Sequence, residues 1–543
     1  MTTHPIARRW RQVAAGVWRR RVGRGTFPEL LAAAGASPRL ASLERLGPAP
    51  FPLARAQLAA ERQAGRLVLV FPLEPGEVLY GLGLNLRALE VQRTVRHLRV
   101  DHYGGQDNGR THAPVPFYVS SRGYGVFVNV ARPLAVYAGG VHRREAHPPV
   151  VDRAAGPAWK AVQPGRTVEI AVPGTGAEIV VFAGPTPLKA VQRFNLFCGG
   201  GCLPPRWGLG FWHRVPLTFT AAQTEGLAAE FAARGYPLDV VGLEPGWHTT
   251  CYPSSFEWNR ERFPDPDGFI ARLRQRGVRV NLWEHPYVAP DCALARDLGD
   301  GVGSHTGSWG GLVPDLSLPA VRKTIARQHE REHLRRGVGG YKLDECDGFD
   351  QWLWPDHARF PSGLTGEELR QVCGVLFQRL TTEMYRQADQ RTYGLVRASN
   401  AGASAFPYVL YSDAYSHREF ITALCSASFC GLLWTPEARA ARSAEEWVRR
   451  IQTTCLSPLA MINAWADGTM PWSFPEVADA VRAAMLLRLR LMPYLYSAFA
   501  QYAEDGTPPF RAMALEEGVA GPPDKPPAAS LDSVENPYAV SQW

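Results

Sequence analysis

The chain has 543 residues, of which 45% are hydrophobic and 10% aromatic, so it can bury a large core without disulfide support. Its net charge of +8 does not indicate nucleic-acid binding, because only five of the 59 basic residues are lysine and the arginines are spread along the chain. The absence of any run of about 18 apolar residues predicts no membrane span. Nine scattered cysteines favour reduced thiols and a cytoplasmic enzyme.

The first part of the chain predicts a lead segment followed by a β-domain. Residues 1–50 are rich in arginine and alanine and are expected to be a variable lead with one short helix at 27–34. Between 51 and 195, turn residues separate short runs of β-forming residues, which favours an antiparallel β-sandwich. The strands are expected at 66–71, 124–130, 167–172 and 178–182. The G-x-G at 81–83 opens no long helix and is interpreted as a turn.

From 200 to 515 strand-like and helix-like segments alternate, as is typical of parallel β/α units. This predicts a (β/α)₈ barrel, with helices at 221–233, 267–276 and 365–390 and a final helix at 480–503 kinked at Pro493. The eight strands are expected at 209–213, 239–244, 278–284, 341–344, 393–397, 409–412, 428–433 and 459–464. Residues 516–543 are proline-rich and are expected to form an irregular tail.

Several predicted strands end in polar groups, and catalytic residues of α/β barrels lie at that end of the strands. Four of these groups are carboxylates, and two of them, Asp344 and Asp413, could supply the pair of carboxylates that glycoside hydrolysis requires. Either could instead only cap a turn, and Glu345 and Asp347 compete with Asp344. The strand-end groups are His213, Glu244, Glu284, Asp344, Arg397 and Asp413.

A second motif, H-E-x-x-H at 329–333, is typical of a zinc-binding helix. A zinc site needs a further ligand, and the arginine-rich flanks favour a solvated helix. We therefore expect no metal site here. A zinc hydrolase built on His329 and His333 stays as the weaker alternative.

Motifs in shared order resemble glycoside hydrolase family 31, which includes α-glucosidases, α-xylosidases and α-galactosidases. The resemblance covers about 75–515. It rests on YGLG at 80–83, PFYVSSRGYG at 116–125, LPPRWGLGFW at 203–212, YPLDVV at 236–241, FEWN at 256–259, RFPDP at 262–266, YKLD at 341–344, RASNAG at 397–402 and LMPYLY at 491–496.

The resemblance implies a retaining, exo-acting α-glycoside hydrolase with a carbohydrate substrate and no cofactor. Asp344 falls where the family has its nucleophile, and Asp413 where it has its acid/base. The residues expected to bind substrate are Glu244, Trp247, Glu284, Lys342, Arg397 and Asn463.

This sequence departs from the family pattern at Asn463, where a histidine is usual, and at residues 411–412. These departures leave open a catalytically inactive sugar-binding relative. The tail at 516–543 would correspond to the truncated start of a C-terminal β-domain. No nucleic-acid or membrane partner is expected, and the sequence does not specify an oligomeric state.

Overall fold

The computed structural model describes residues 3–6, 9–63, 65–141, 143, 167–348, 353–413, 416–516 and 540–541. Its N-terminal region is built from thirteen strands and three helices. The strands are β1 Thr3–Pro5, β2 Arg11–Ala14, β3 Val17–Gly23, β4 Ala59–Gln63, β5 Arg66–Pro72, β6 Leu79–Gly81, β7 Thr94–Val100, β8 Arg110–Thr111, β9 Phe117–Ser120, β10 Tyr124–Val128, β11 Leu134–Ala138, β12 Thr167–Pro173 and β13 Gly176–Ala183. The helices are α1 Leu30–Ala34, α2 Leu40–Arg45 and α3 Pro187–Phe197.

These strands form two sheets that face each other across an apolar core. One has the order β1-β4-β5-β12-β11-β7-β8 and is antiparallel except for the β7–β8 pair; the other has the order β2-β3-β13-β10-β9-β6 and is antiparallel throughout. The second sheet also packs on α3, where Phe117 stacks on Phe194 at 3.9 Å. Strand β13 is therefore buried along its whole length, and its sequence is apolar except for Glu178.

The expectation of a separate lead over 1–50 was wrong. Strand β3 pairs with β13 from Val17 to Gly23, so this segment is part of the second sheet. The sequence pattern did not indicate a strand here, because consecutive arginines separate its buried apolar residues, which are Val17, Trp18 and Val22. The G-x-G at 81–83 is a turn, as predicted, and a Cβ on Gly83 would lie 2.2 Å from the Ala113 carbonyl oxygen.

The second region alternates strands and helices. Its strands are β14 Phe211–Arg214, β15 Val240–Leu243, β16 Arg279–Glu284, β17 Gly340–Leu343, β18 Gly394–Val396, β19 Tyr408–Leu410 and β20 Ala460–Asn463. Its helices are α4 Ala221–Ala233, α5 Pro266–Gln275, α6 Ala293–Leu298, α7 Pro319–Glu332, α8 Gly366–Gln387, α9 His417–Ala427, α10 Ala444–Cys455, α11 Ala478–Arg490 and α12 Met492–Asp505. Leu491 separates α11 from α12, which confirms the break expected at Pro493.

The seven strands form one parallel sheet in the order β19-β18-β17-β16-β15-β14-β20. Residues 434–438 run between its two edge strands. Trp434 bridges to Leu410 of β19 and Ala438 bridges to Ile462 of β20, both in parallel. A short pair, β21 Arg511–Ala512 with β22 Val540–Ser541, follows, and most of the tail predicted at 516–543 lies outside the described residues.

The strand predicted at 428–433 was wrong. Helix α9 continues to Ala427, and the next residues turn, with Gly431 at φ 66°. Phe429 and Cys430 face the N-terminal region, and the segment reaches the sheet at its last residue, where the Leu433 carbonyl accepts from the Leu410 N–H (2.8 Å). Phe429 stacks on Tyr80 at 4.7 Å, and the Cys430 sulfur accepts a hydrogen bond from the Gly83 N–H. In the described part of the chain, no helix has the length and hydropathy that crossing a membrane requires.

Candidate active site

Three neighbouring strands bring the predicted catalytic residues to one edge of the parallel sheet. Asp344 follows β17, Arg397 follows β18 and Asp413 comes three residues after the end of β19. Backbone hydrogen bonds continue the ladder to this edge, since the Asp344 N–H donates to the Glu284 carbonyl (2.8 Å) and the Arg397 N–H to the Leu343 carbonyl (2.9 Å). The residues predicted from strand ends therefore converge, as parallel strands require.

One guanidinium nitrogen lies between the two carboxylates. Arg397 Nη1 is 3.5 Å from Asp344 Oδ1 and 3.3 Å from Asp413 Oδ2. These two oxygens can be no farther apart than the sum of those distances, about 6.8 Å. That limit is compatible with the roughly 5–5.5 Å spacing between the two carboxyl groups of retaining glycosidases.

Asp344 is held as an anion in a buried setting. Its side chain is 9% exposed and accepts a hydrogen bond from Trp283 Nε1 at 2.7 Å. Burial alone would raise the pKa of Asp344, but Lys342, Arg397 and the Trp283 hydrogen bond together lower it below its usual value. An ionised, positioned carboxylate is the form that a nucleophile needs.

Asp413 occupies a different environment, with 46% of its side chain exposed. Besides Arg397, it contacts Arg439, whose Nη2 lies 3.3 Å from Asp413 Oδ1. Arg439 was not among the predicted site residues, because it follows the 434–438 segment and lies on no predicted strand end. The two acids therefore differ in solvent access, as expected when one attacks and the other exchanges protons.

Glu244, Lys342, Glu437 and Asn463 form a buried polar network between the two acids, which we call the floor of the site. Lys342 Nζ lies 3.3 Å from Glu244, 3.7 Å from Asp344 and 3.8 Å from Glu437. Asn463 Nδ2 donates to Glu437 Oε1 at 2.7 Å. Burial, and secondarily the charge of Asp413, raise the pKa of Glu437 to about 7, although Lys342 and Arg439 act in the opposite direction. Sequence reasoning missed Glu437, because no motif marked it.

Glu244 is part of the same floor. Its carboxylate is 2% exposed and pairs with Arg214 as well as with Lys342. The predicted residues Glu244, Lys342 and Asn463 thus lie together beneath the catalytic pair, held by one another. Their contact with a sugar stays a prediction.

Glu345 follows Asp344 in a strained backbone conformation, with φ at 52°. Hydrogen bonds hold both backbone groups of Glu345. Its N–H donates to Asp344 Oδ1 (2.9 Å), and its carbonyl accepts from the Tyr287 hydroxyl (2.7 Å). Burial, and then the charge of Asp344, raise the pKa of Glu345 to about 8. Strain of this kind concentrates at functional sites.

The N-terminal region supplies part of the site. His112 is fully buried, and its Nδ1 lies 2.5 Å from Asp347 Oδ2 while its Nε2 lies 2.7 Å from the Ser412 hydroxyl. Asp347 in turn lies 3.3 Å from Arg397 Nη2. Asp347 is therefore a buried partner of Arg397, not a competitor for the role of Asp344, and Ser412, at a departure from the family pattern, is held by His112.

Two of the predicted substrate residues are buried among other side chains. Trp247 is 1% exposed, donates through Nε1 to the Trp283 carbonyl (2.7 Å) and packs against Trp258 and His333. Glu284 points to the opposite face of β16 from Trp283, toward helix α7. Neither side chain is exposed to solvent, and the contact of either one with a sugar stays a prediction.

The H-E-x-x-H helix is not solvated at its histidines, so that expectation was also wrong. His329 and His333 are buried with Glu284, and one ligand-type atom from each lies within 4.8 Å of the others. These groups could hold a metal, but they are bonded in place already. His329 Nε2 lies 3.0 Å from Glu284 Oε2, and His333 lies between the Tyr341 hydroxyl and the Phe256 carbonyl.

This cluster does not fit a zinc hydrolase. Glu330, which would be the general base of that motif, lies on the outer face of α7, 45% exposed and paired with Arg335. A substrate has no path to three groups that are at most 1% exposed. A parallel sheet preceded by a β-domain, with two acids at the carboxyl ends of its strands, is instead the arrangement typical of barrel glycosidases.

Comparison with known proteins names the family. Residues 201–498 match the glycosyl hydrolases family 31 TIM-barrel domain, and residues 51–136 match the glycosyl hydrolase 31 N-terminal galactose mutarotase-like domain. The chain therefore belongs to glycosyl hydrolase family 31, and the resemblance found in the sequence is confirmed.

Curated relatives are glycosidases. An α-xylosidase of Lactiplantibacillus pentosus is 25% identical over 76% of this chain and 54% of its own length. An α-xylosidase of Emericella nidulans is 25% identical over 84% and 58%, and α-glucosidase 2 of Bacillus thermoamyloliquefaciens is 26% identical over 63% and 47%. The chain thus spans only about half of the length of these relatives.

Solved structures share the fold. A Flavobacterium johnsoniae family 31 dextranase, complexed with glucose, aligns with a TM-score of 0.72 at 19% identity, covering 85% of this chain and 59% of the other. A cycloalternan-degrading enzyme from Trueperella pyogenes, complexed with isomaltose, aligns with a TM-score of 0.71 at 20% identity, covering 86% and 73%.

Proposed function

We propose that this chain is a retaining, exo-acting α-glycoside hydrolase that removes a terminal sugar by two displacements in a closed eight-strand barrel. The observation that carries the reaction is the Arg397 guanidinium, which holds Asp344 and Asp413 within reach of one another. The bridges of residues 434–438 to β19 and β20 support closure of the barrel. Family membership and the relatives named as α-xylosidases and α-glucosidases support the substrate class.

In the first displacement, Asp344 attacks the anomeric carbon while Asp413 gives its proton to the leaving oxygen. The products of this step are a glycosyl ester on Asp344 and a free alcohol. Asp413 then takes a proton from water, the water oxygen attacks the anomeric carbon, and Asp344 leaves as a carboxylate. The buried floor of Glu244, Lys342 and Glu437 would receive the terminal sugar, which is why we propose exo action and a carbohydrate partner. We propose a cytoplasmic location from the free state of all nine cysteines.

The experiment is hydrolysis of aryl α-glucosides, α-xylosides and α-galactosides by the wild type and by Asp344→Asn and Asp413→Asn variants. We expect each variant to lose about 10²-fold or more in kcat/KM on the substrate that the wild type hydrolyses. The matched control is Asp356→Asn, because Asp356 is also half-exposed (47%) and paired with an arginine, Arg99. That variant should keep wild-type turnover.

Unchanged turnover by Asp344→Asn would overturn the assignment. Sugar binding without turnover by the wild type would instead favour the inactive relative. The departure at Asn463 does not by itself favour that alternative, because Asn463 is bonded within the floor.

A further inference from the structure

A buried cluster of two histidines and one glutamate lies between the parallel sheet and helix α7, and the proposed mechanism does not use it. The cluster consists of Glu284 at the end of β16, His329 in the last turn of α7 and His333 directly after that helix. Each side chain is at most 1% exposed, and one ligand-type atom of each lies within 4.8 Å of the others. Histidines four residues apart face the same side of a helix, which is a common arrangement of metal ligands.

The hydrogen bonds of Gln328 fix which nitrogen of His329 carries the proton. Gln328 Nε2 donates to the Phe256 carbonyl at 2.7 Å, so the amide oxygen of Gln328 is the atom that lies 2.7 Å from His329 Nδ1. Nδ1 must therefore be the donor, because an amide oxygen only accepts. In a neutral imidazole the lone pair then lies on Nε2, the nitrogen that faces Glu284.

Glu284 places both of its carboxylate oxygens against that lone pair. Oε1 lies 3.2 Å and Oε2 3.0 Å from His329 Nε2, and among the described residues Oε2 accepts no hydrogen bond. A lone pair held against a carboxylate is repulsive, so a positive charge, either a second proton or a metal ion, must lie between the two groups. The spacing suits an ion, because two ligands at roughly 2.0–2.2 Å from one tetrahedral zinc lie roughly 3.3 Å apart.

His333 offers a second lone pair in the same way. Its Nε2 lies 3.3 Å from the Phe256 carbonyl, which only accepts, so Nε2 carries the proton and Nδ1 the lone pair. Burial, and then the nearby His329 and His248, lower the pKa of His333 well below its usual value, so the ring is neutral. Metal-bound histidines usually donate their other N–H to an oxygen acceptor, as both of these rings do.

We propose that Glu284, His329 and His333 bind one structural zinc ion, through a carboxylate oxygen and the lone pair of each imidazole. Carboxylate and imidazole ligands suit zinc, and a closed, buried set of ligands is typical of structural sites. The Tyr341 hydroxyl, 3.1 Å from His333 Nδ1, is available for a fourth position. The ion connects α7 to β16 at the residue whose carbonyl accepts from the Asp344 N–H, so it holds the sheet in place behind the nucleophile.

The first test is the metal content of protein produced in zinc-supplemented medium and passed through gel filtration with a chelator. We expect about one zinc ion per chain in the wild type, and several-fold less in Glu284→Gln and in His329→Gln. The matched control is His357→Gln, because His357 also contacts a second histidine, His305, but both are exposed. The control should keep the zinc content of the wild type. A wild type without zinc, or equal zinc in all four proteins, would overturn the site.

A second test needs only the wild type and therefore also decides the case in which the variants fail to fold. Protein produced with cobalt in place of zinc should show the visible absorption of a tetrahedral cobalt ion. After unfolding in urea with a chelator, refolding with zinc should give a higher urea midpoint than refolding with magnesium. An ion that binds only the folded state stabilises it, and magnesium prefers oxygen ligands.

Either equal midpoints or the absence of cobalt absorption would refute the zinc site, and would mean that the positive charge between His329 and Glu284 is a proton. None of these readouts uses glycoside turnover. Loss of the metal site and failure of the proposed function are therefore distinguishable.

Discussion

Arg397 contacts three carboxylates, those of Asp344, Asp347 and Asp413. These negative charges outweigh its burial and raise its pKa well above the usual value, so it is a permanent cation at the centre of the site. The planar fork of an arginine offers donors in fixed directions to several carboxylates, whereas the ammonium group of a lysine acts as a point charge. This residue explains how two acids from different strands come to share one cleft.

The buried carboxyl group of Glu437 leads to a prediction about how the free energy of unfolding depends on pH. Its pKa is raised to about 7 from an ordinary 4.5, so between these pH values the folded state keeps a proton that the unfolded state has lost. The free energy of unfolding therefore falls as pH rises through this window. Glu437→Gln removes this contribution, and the stability of the variant relative to the wild type should grow with pH by up to about 1.4 kcal/mol per unit.

The measurement is urea denaturation of both proteins at several pH values across that window. Glu330→Gln, a substitution on the exposed face of α7, is the control and should follow the wild type. Parallel stability profiles for the wild type and Glu437→Gln would show that Glu437 does not hold its proton.

At the residue level, the sequence could predict Asp344, Asp413 and Arg397, because each follows a recognisable strand. It could not predict Glu437 or Arg439, since the segment that contains Glu437 and precedes Arg439 is bridged to the sheet only at Trp434 and Ala438. The same limit applies to Glu284, whose side chain lies against helix α7. A sequence shows that a polar or aromatic group lies near a strand end, but a shift of one residue decides which side of the sheet it faces.

At the level of elements, the helices were the most predictable parts. Helix α4 has the predicted bounds, and it begins with a capping box in which Thr220 and Gln223 satisfy each other's backbone N–H groups. The strand expected at 428–433 failed because its apolar residues face the N-terminal region, a contact that local patterns do not encode. An apolar run predicts burial reliably, but not the partner that buries it.

Helix α11 carries a second prediction about stability. Arg488 is fully buried and donates to the carbonyls of Leu209, Cys455, Ser457 and Pro458 at 2.6–3.2 Å. Burial lowers its pKa to about 10, so it is still charged at neutral pH. Arg488→Leu would leave four buried carbonyls without this donor, and we expect it to cost about 3–5 kcal/mol of unfolding free energy in denaturant titrations.

The matched control is Arg490→Leu, because Arg490 lies on the same helix and is exposed. It should change the unfolding free energy by less than about 0.5 kcal/mol. Equal effects of the two substitutions would show that the buried hydrogen bonds of Arg488 contribute nothing specific.

For the whole molecule, the two regions form one unit. A single apolar core includes residues of the N-terminal sheets, such as Phe117, and of the parallel sheet, such as Leu343. Through His112, the N-terminal region also contacts Asp347 and Ser412 in the candidate site. The fold class and family were predictable from ordered motifs along the chain, whereas this junction was not, because its contacts join residues more than 200 positions apart.

The central claim is that Asp344 forms a covalent bond to the sugar while Asp413 assists. The most direct measurement is mass spectrometry of the protein after incubation with a fluorinated α-glycosyl fluoride, which slows release of the glycosyl enzyme. We predict one added sugar, located by peptide mapping on Asp344, and no added sugar in Asp344→Asn. A label on another carboxylate, or turnover of the wild type with no trapped ester, would contradict the account.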